Sequence, residues 1–200
     1  MSIPGSASPL FFQTAAGAAA FTLEKSVRFN SEDNASLSKT LSSDGNIKKW
    51  TWAGWVKRGK LGSNAEFFGV NTGTSAQHLI NFDGSDRIHF YRYASGYHFR
   101  RQTTQKFRDP SAWYHIVAVY DTDNATAADR AILYVNGSRV TDFGTSVDPT
   151  SGETGYINDA TYTQNLGSAG DNSREFDGYL ADVYFIDGSA LDPTSFGAFD

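Results

Sequence analysis

The chain has 200 residues, of which 40% are hydrophobic, enough for a single domain that buries ~70% of its unfolded surface. A formal charge of -5 with no block of like charges excludes the basic field that nucleic acid requires. The absence of cysteine excludes disulfides and thiolate metal sites, while 19 glycines and 14% aromatic residues without helical heptads favour an all-β sandwich or barrel.

Residues 1–25 differ from everything after them: Pro4, Gly5 and Pro9 break regular structure, and Ser and Ala dominate. No Lys or Arg precedes Lys25, and Gln13, Thr14 and Gly17 interrupt the apolar run, so the segment does not read as a secretory signal. Nothing approaches the ~20 apolar residues of a membrane span, and no membrane insertion is expected. The segment reads as an extended arm bearing an apolar cluster, Leu10, Phe11 and Phe12, with a second point at Phe21. Such a cluster suits docking into another subunit. A frayed tail, or a segment folded back on its own domain, are the alternatives.

From Ser26 short strands follow at regular spacing, and residues 26–200 form the predicted sandwich. Ser26 to Asn30 places Val27 and Phe29 on one face, and Ala35 to Thr40 is a second short strand. Lys49 to Arg58 alternates strongly, with Trp50, Trp52, Gly54 and Val56 on one face and Ala53 and Trp55 on the other. Strands are predicted over Glu66 to Asn71, Gln77 to Phe82, Arg87 to Tyr93 and Tyr97 to Arg101, with Asp83-Gly84 as a hairpin turn. Trp113 to Tyr120 is apolar on both faces and belongs at the centre of a covered sheet, paired with Ala131 to Val135; Asn136-Gly137 closes that second strand because it tolerates positive φ. A long Gly/Thr/Asp/Ser stretch, roughly 141 to 161, precedes a short strand at Thr163 to Gly167. Glu175 to Asp187 is the last strong strand, with Tyr179, Ala181, Val183 and Phe185 opposing Leu180, Asp182, Tyr184 and Ile186. A turn or one-turn helix starts at Asp192-Pro193. About ten or eleven strands and no long helix are expected.

Three motifs in order, Trp113 to Asp121 (WYHIVAVYD), Leu133 to Gly137 (LYVNG) and Phe176 to Phe185 (FDGYLADVYF), follow a strand ending Trp55-Val56-Lys57. This order resembles the laminin-G-like, concanavalin A-like lectin/glucanase jelly roll over about residues 26 to 197. The resemblance implies a two-sheet antiparallel sandwich. The family commonly has an Asp-Glu pair where this chain has Ala181-Asp182. The arm, followed by such a domain, also looks like virion proteins of tailed bacteriophages, particularly marine ones. That likeness implies a location on the virion, as tail, fibre or capsid-surface protein. The partners it implies are other virion proteins met through the arm, further copies of the chain, and a host-surface glycan.

Glycanases of this superfamily use two carboxylates, commonly on alternate positions of one strand. The five glutamates, Glu24, Glu32, Glu66, Glu153 and Glu175, show no such spacing, so an enzyme is not expected unless distant carboxylates converge. The histidines, at 78, 89, 98 and 115, lack a metal-pair spacing and read as structural. The resemblance implies Ca2+ at the rim, which needs six to eight oxygens. Candidate loops are Asp83 with Asp86, Asp121 with Asp123 and Asn124, and Asp171 with Asn172 and Asp177; the metal ligands expected are Asp121, Asp123, Asp171 and Asp177, against solvated turns capped by their own acids. For a saccharide, Tyr91, Tyr93, Tyr97 and Arg100 are the expected contacts, with Arg92 and Arg101 nearby, against ordinary sheet packing. The basic residues also suit an acidic polysaccharide or an adjacent subunit. A free-standing or secreted Ca2+-dependent carbohydrate-binding module is the competing reading of the whole chain.

Overall fold

In the computed structural model, residues 24–73, 76–168, 170 and 174–197 are described. Leu10, Phe11, Phe12, Phe21 and Asp171 lie outside the described residues. The strands are β1 (Val27–Phe29), β2 (Leu37–Lys39), β3 (Lys49–Arg58), β4 (Ala65–Asn71), β5 (Gln77–Phe82), β6 (Arg87–Tyr93), β7 (Tyr97–Lys106), β8 (Tyr114–Asp121), β9 (Ala131–Val135), β10 (Ser138–Arg139), β11 (Phe143–Val147), β12 (Gln164–Leu166) and β13 (Gly178–Asp187). They form a six-stranded sheet, β1-β13-β3-β8-β9-β10, and a seven-stranded sheet, β11-β7-β6-β5-β4-β12-β2. Every ladder between these strands is antiparallel.

The central position of β8 follows from its sequence. Ile116, Ala118 and Tyr120 enter the main core, whereas Val117 and Val119 pack with Ala53 on the opposite face. A strand buried on both faces cannot sit at an edge, and β3 and β9 flank it. Asn136 and Gly137, at φ 48° and 79°, turn β9 into β10 as their tolerance of the left-handed region predicts.

Between the sheets the core is aromatic. Trp50 stacks on Tyr120 at 5.6 Å and meets Phe90 edge-on at 5.9 Å, while Trp52 stacks on Phe68 at 5.8 Å. Each such pair adds roughly 0.5–1.5 kcal/mol beyond area burial. At the end of β3 the buried Arg58 guanidinium meets Asp86 at 3.1 Å, donates to the Phe107 carbonyl at 2.6 Å and lies 4.3 Å above the Phe82 ring.

Local departures from the sequence reading have definite causes. A strand, β11, lies inside the stretch read as irregular, because Phe143–Val147 finds a partner in β7. Strand β7 runs on to Lys106 rather than ending at Arg101. In β13 a bulge between Ala181 and Tyr184, with Asp182 at φ 44°, inserts one extra residue. Face parity therefore changes midway. Leu180, Val183 and Phe185 all pack on the core, while Tyr179 and Tyr184 are exposed. The expected opposition of Leu180 to Phe185 does not hold.

Candidate functional site

Strand alternation builds a patch on the outer face of the larger sheet. On β6, Ile88 and Phe90 enter the core, so His89, Tyr91 and Tyr93 point outward. On β5, Ile80 and Phe82 point in, which turns Gln77, Leu79 and Asn81 out. Register aligns these side chains in rows: Gln77 beside Tyr93 and Tyr97, Leu79 beside Tyr91 and Arg100, Asn81 beside His89 and Gln102. Tyr97 and Arg100 are three residues apart, a spacing that places residues of a regular strand on opposite faces. A register shift opposite Arg92 and Tyr93 accommodates the extra residue, His98. Tyr97 and Arg100 consequently share the outer face, with the guanidinium 4.4 Å over the tyrosine ring.

The patch is a cleft of about 390 Å³. Tyr91 forms its floor: its hydroxyl donates to Gln77 Oε1 at 2.9 Å, and its ring stacks on His89 at 4.2 Å. Tyr97 meets both Tyr91 and Tyr93 edge-on, at 5.6 and 5.2 Å, and is 43% exposed. One wall comes from elsewhere in the chain. Arg174 Nη1 donates to Glu66 Oε1 at 2.7 Å and to the Tyr91 hydroxyl at 3.3 Å. The backbones of Glu66 and Glu175 pair in an isolated parallel bridge, which ties the segment before β13 to β4. Glu66 is wholly buried, and Glu175 accepts from the Ser168 hydroxyl at 3.0 Å.

Electrostatics fix the roles of the polar groups. Burial, with Arg100 adjacent, lowers the His89 pKa to about 3, so the ring is neutral and its Nε2 accepts from Arg100 Nε at 3.0 Å. Burial, with Glu66 nearby, raises the Tyr91 phenol well above its ordinary range, which keeps it a hydrogen-bond donor. Asn81, only 3% exposed, donates to the Phe82 carbonyl at 3.0 Å, while its Oδ1 has no hydrogen-bond partner. A buried acceptor left unpaired costs ~1–3 kcal/mol.

Tyr91, Tyr93, Tyr97 and Arg100, the four ligand contacts expected from sequence, thus come together. Arg92 and Arg101 do not join them: Arg92 pairs with Glu153 and lies 4.4 Å over Tyr156, and Arg101 donates to the Ala131 carbonyl at 3.0 Å. Gln77, Asn81 and His89, the last read as structural from sequence, join the four because the parity of β5 and β6 places them outward. No local signal in the sequence points to Arg174. A second, more apolar groove, about 340 Å³ between Leu37, Phe68, Leu166 and Phe185, lies at the seam between the sheets. It lacks the exposed tyrosine ring and the row of polar side chains that line the cleft.

The described members of the expected metal-ligand set, Asp121, Asp123 and Asp177, lie at two separate loops, as expected. Asp121 pairs with Lys49 at one end of β3 and Gly178, next to Asp177, pairs with Arg58 at the other, so ~30 Å separates the two acids. Asp121 Oδ2 meets Lys49 Nζ at 3.1 Å, Asp123 faces Lys48 at 3.7 Å, and Asp177 meets Arg28 at 3.1 Å. Asp83 and Asp86 are engaged by Arg87, Gln102, Arg58 and Arg108. Among the described residues no three His, Asp or Glu side chains converge as a metal-ligand set. Lysine and arginine cations opposite these acids do not fit a Ca2+ cage.

Residues 12–194 match the sequence profile of the concanavalin A-like lectin/glucanases superfamily. No curated protein matches the chain. Similar solved structures include domain 4 of AbnA, an extracellular arabinanase from Geobacillus stearothermophilus, in complex with arabinotriose. It has 18% identity and a TM-score of 0.54, with 78% of this chain and 66% of that chain covered. Mouse laminin alpha1 domains LG4-5 have 14% identity and a TM-score of 0.59, over 89% of this chain and 46% of that one. A variant of NanB sialidase from Streptococcus pneumoniae has 18% identity and a TM-score of 0.59, over 88% and 27%. The chain thus spans less than two thirds of each of these chains, and the likeness at such identities is one of fold.

Proposed function

The chain belongs to the concanavalin A-like lectin/glucanase superfamily, and on that premise we propose that it is a non-catalytic saccharide-binding protein whose ligand lies in the tyrosine-lined cleft. The observation that carries this reading is the exposed ring of Tyr97 at the rim of a cleft lined by the polar side chains of Gln77, Asn81, Tyr91 and Tyr93. A sugar presents both complements: hydroxyls for the polar side chains and an apolar ring face for a tyrosine. The arabinotriose complex of the similar AbnA domain is consistent with a saccharide ligand for this architecture.

Absence of catalysis is part of the proposal. Glu66 and Glu175 are backbone neighbours, but Glu66 is inaccessible and bonded to Arg174, so it is not placed to reach a glycosidic oxygen. The test is a glycan array with the full chain and its Tyr97→Ala variant, followed by incubation of any ligand found. Binding that Tyr97→Ala removes, without cleavage products, supports the proposal; a blank array or turnover of the ligand overturns it.

The finer assignment we propose is to the virion of a tailed bacteriophage, on the capsid or tail surface. Leu10, Phe11, Phe12 and Phe21 would anchor the arm in other virion proteins or further copies, with the sandwich facing host glycans. The support is the composition of the arm sequence. A mass-spectrometric inventory of purified particles tests it: presence in fixed copy number is expected, and absence from virions would leave a free-standing carbohydrate-binding module.

A further inference from the structure

The outer face of the larger sheet carries two guanidinium groups, Arg174 lining the cleft and Arg100 beside it on Tyr97 and His89, and they are committed differently. Arg174 has an internal counterion in Glu66 at 2.7 Å. Arg100 has none among the described residues: its Nε is spent on His89, a neutral acceptor, and the group lies flat over Tyr97. Its cross-strand neighbours are Tyr91 and Val147, neither of them acidic. Both Nη nitrogens are therefore unbonded to the described protein, at the rim beside the most exposed ring of the cleft. The Nε–His89 bond and the Tyr97 face hold the plane of the guanidinium and leave its two Nη groups available to pair. A planar fork of N–H donors matches a carboxylate or sulfate far better than a single hydroxyl.

Resting on the saccharide-binding reading, we infer that the ligand is an acidic saccharide, whose carboxylate or sulfate pairs with the Nη groups of Arg100 while its ring lies against Tyr97. The low proton affinity of His89 serves the same end, since a neutral imidazole orients Arg100 without adding a competing positive charge. The protein's net charge of -5 makes a general attraction to polyanions a poor alternative.

The test is an array of uronate-containing, sialylated, sulfated and neutral oligosaccharides, probed with the full chain and with Arg100→Gln, Arg100→Lys and, as a remote cation control, Arg139→Gln. Signals on acidic members are expected, and the class bound separates carboxylate from sulfate. Arg100→Gln should weaken binding about tenfold or more, the scale of a charge-assisted hydrogen bond. Arg100→Lys should restore little of it, and Arg139→Gln should change nothing. Neutral glycans bound in a Tyr97-dependent way, or acidic binding indifferent to Arg100→Gln, would overturn this inference and leave the saccharide reading standing. A blank array would remove both.

Discussion

Arg174 and Glu66, 108 residues apart in sequence, join at 2.7 Å on the outer face of the larger sheet, and the glutamate is wholly buried. The pair ties the segment before β13 to β4 and thereby forms one wall of the cleft. Removing the cation alone would leave a buried carboxylate without its counterion. Arg174→Met is expected to cost about 3 kcal/mol, whereas Glu66→Gln combined with Arg174→Met should recover much of the loss. Urea denaturation of the two singles and the double closes this cycle; strictly additive losses would mean that the pair is not coupled.

Asn81 lines the cleft although it is only 3% exposed. Its Oδ1 is an unpaired acceptor in the free protein, so truncation removes a cost of ~1–3 kcal/mol along with the Nδ2 bond to Phe82. Asn81→Ala is therefore expected to leave the denaturation midpoint nearly unchanged and, by removing a cleft-lining side chain, to weaken saccharide binding. A large loss of stability with binding intact would assign Asn81 to the scaffold instead.

Acid should destabilise the fold well before carboxylates protonate. Burial holds His78 well below the ordinary imidazole value of 6.5, His115 at about 4 and His89 at about 3. Above pH 6.5 these rings are neutral both folded and unfolded, and their full contribution is present. Below it the unfolded chain takes up protons that the folded chain refuses, so stability falls by about 1.4 kcal/mol per pH unit for each histidine. The fall ends near pH 4 for His115 and near pH 3 for His89. Urea midpoints at pH 7 and pH 5 should differ markedly, and His89→Gln should flatten the dependence; equal midpoints would refute it.

Chelation should do little. Because Asp121, Asp123 and Asp177 face Lys49, Lys48 and Arg28, saccharide binding and thermal midpoint are both expected to be unchanged by EDTA. A fall in either on chelation, restored by Ca2+, would show that an oxygen cage forms from groups now paired with cations.

The sequence by itself determined the sandwich and its central strand. Alternation is a property of consecutive residues, so Ile116, Ala118 and Tyr120 against Val117 and Val119 sufficed to bury β8 on both faces. Asn136-Gly137 likewise defined its turn through local sterics alone. It also singled out the tyrosines of β6 and β7, although alternation read along β7 separates Tyr97 from Arg100. Only the tertiary structure joined them. A bulge is an agreement between two strands about register, and one extra residue reverses every side chain beyond it, as it does for Leu180 and Phe185 in β13. The Arg174–Glu66 contact was beyond reach for the same reason: it depends on where a distant segment crosses the sheet, which neither segment encodes alone.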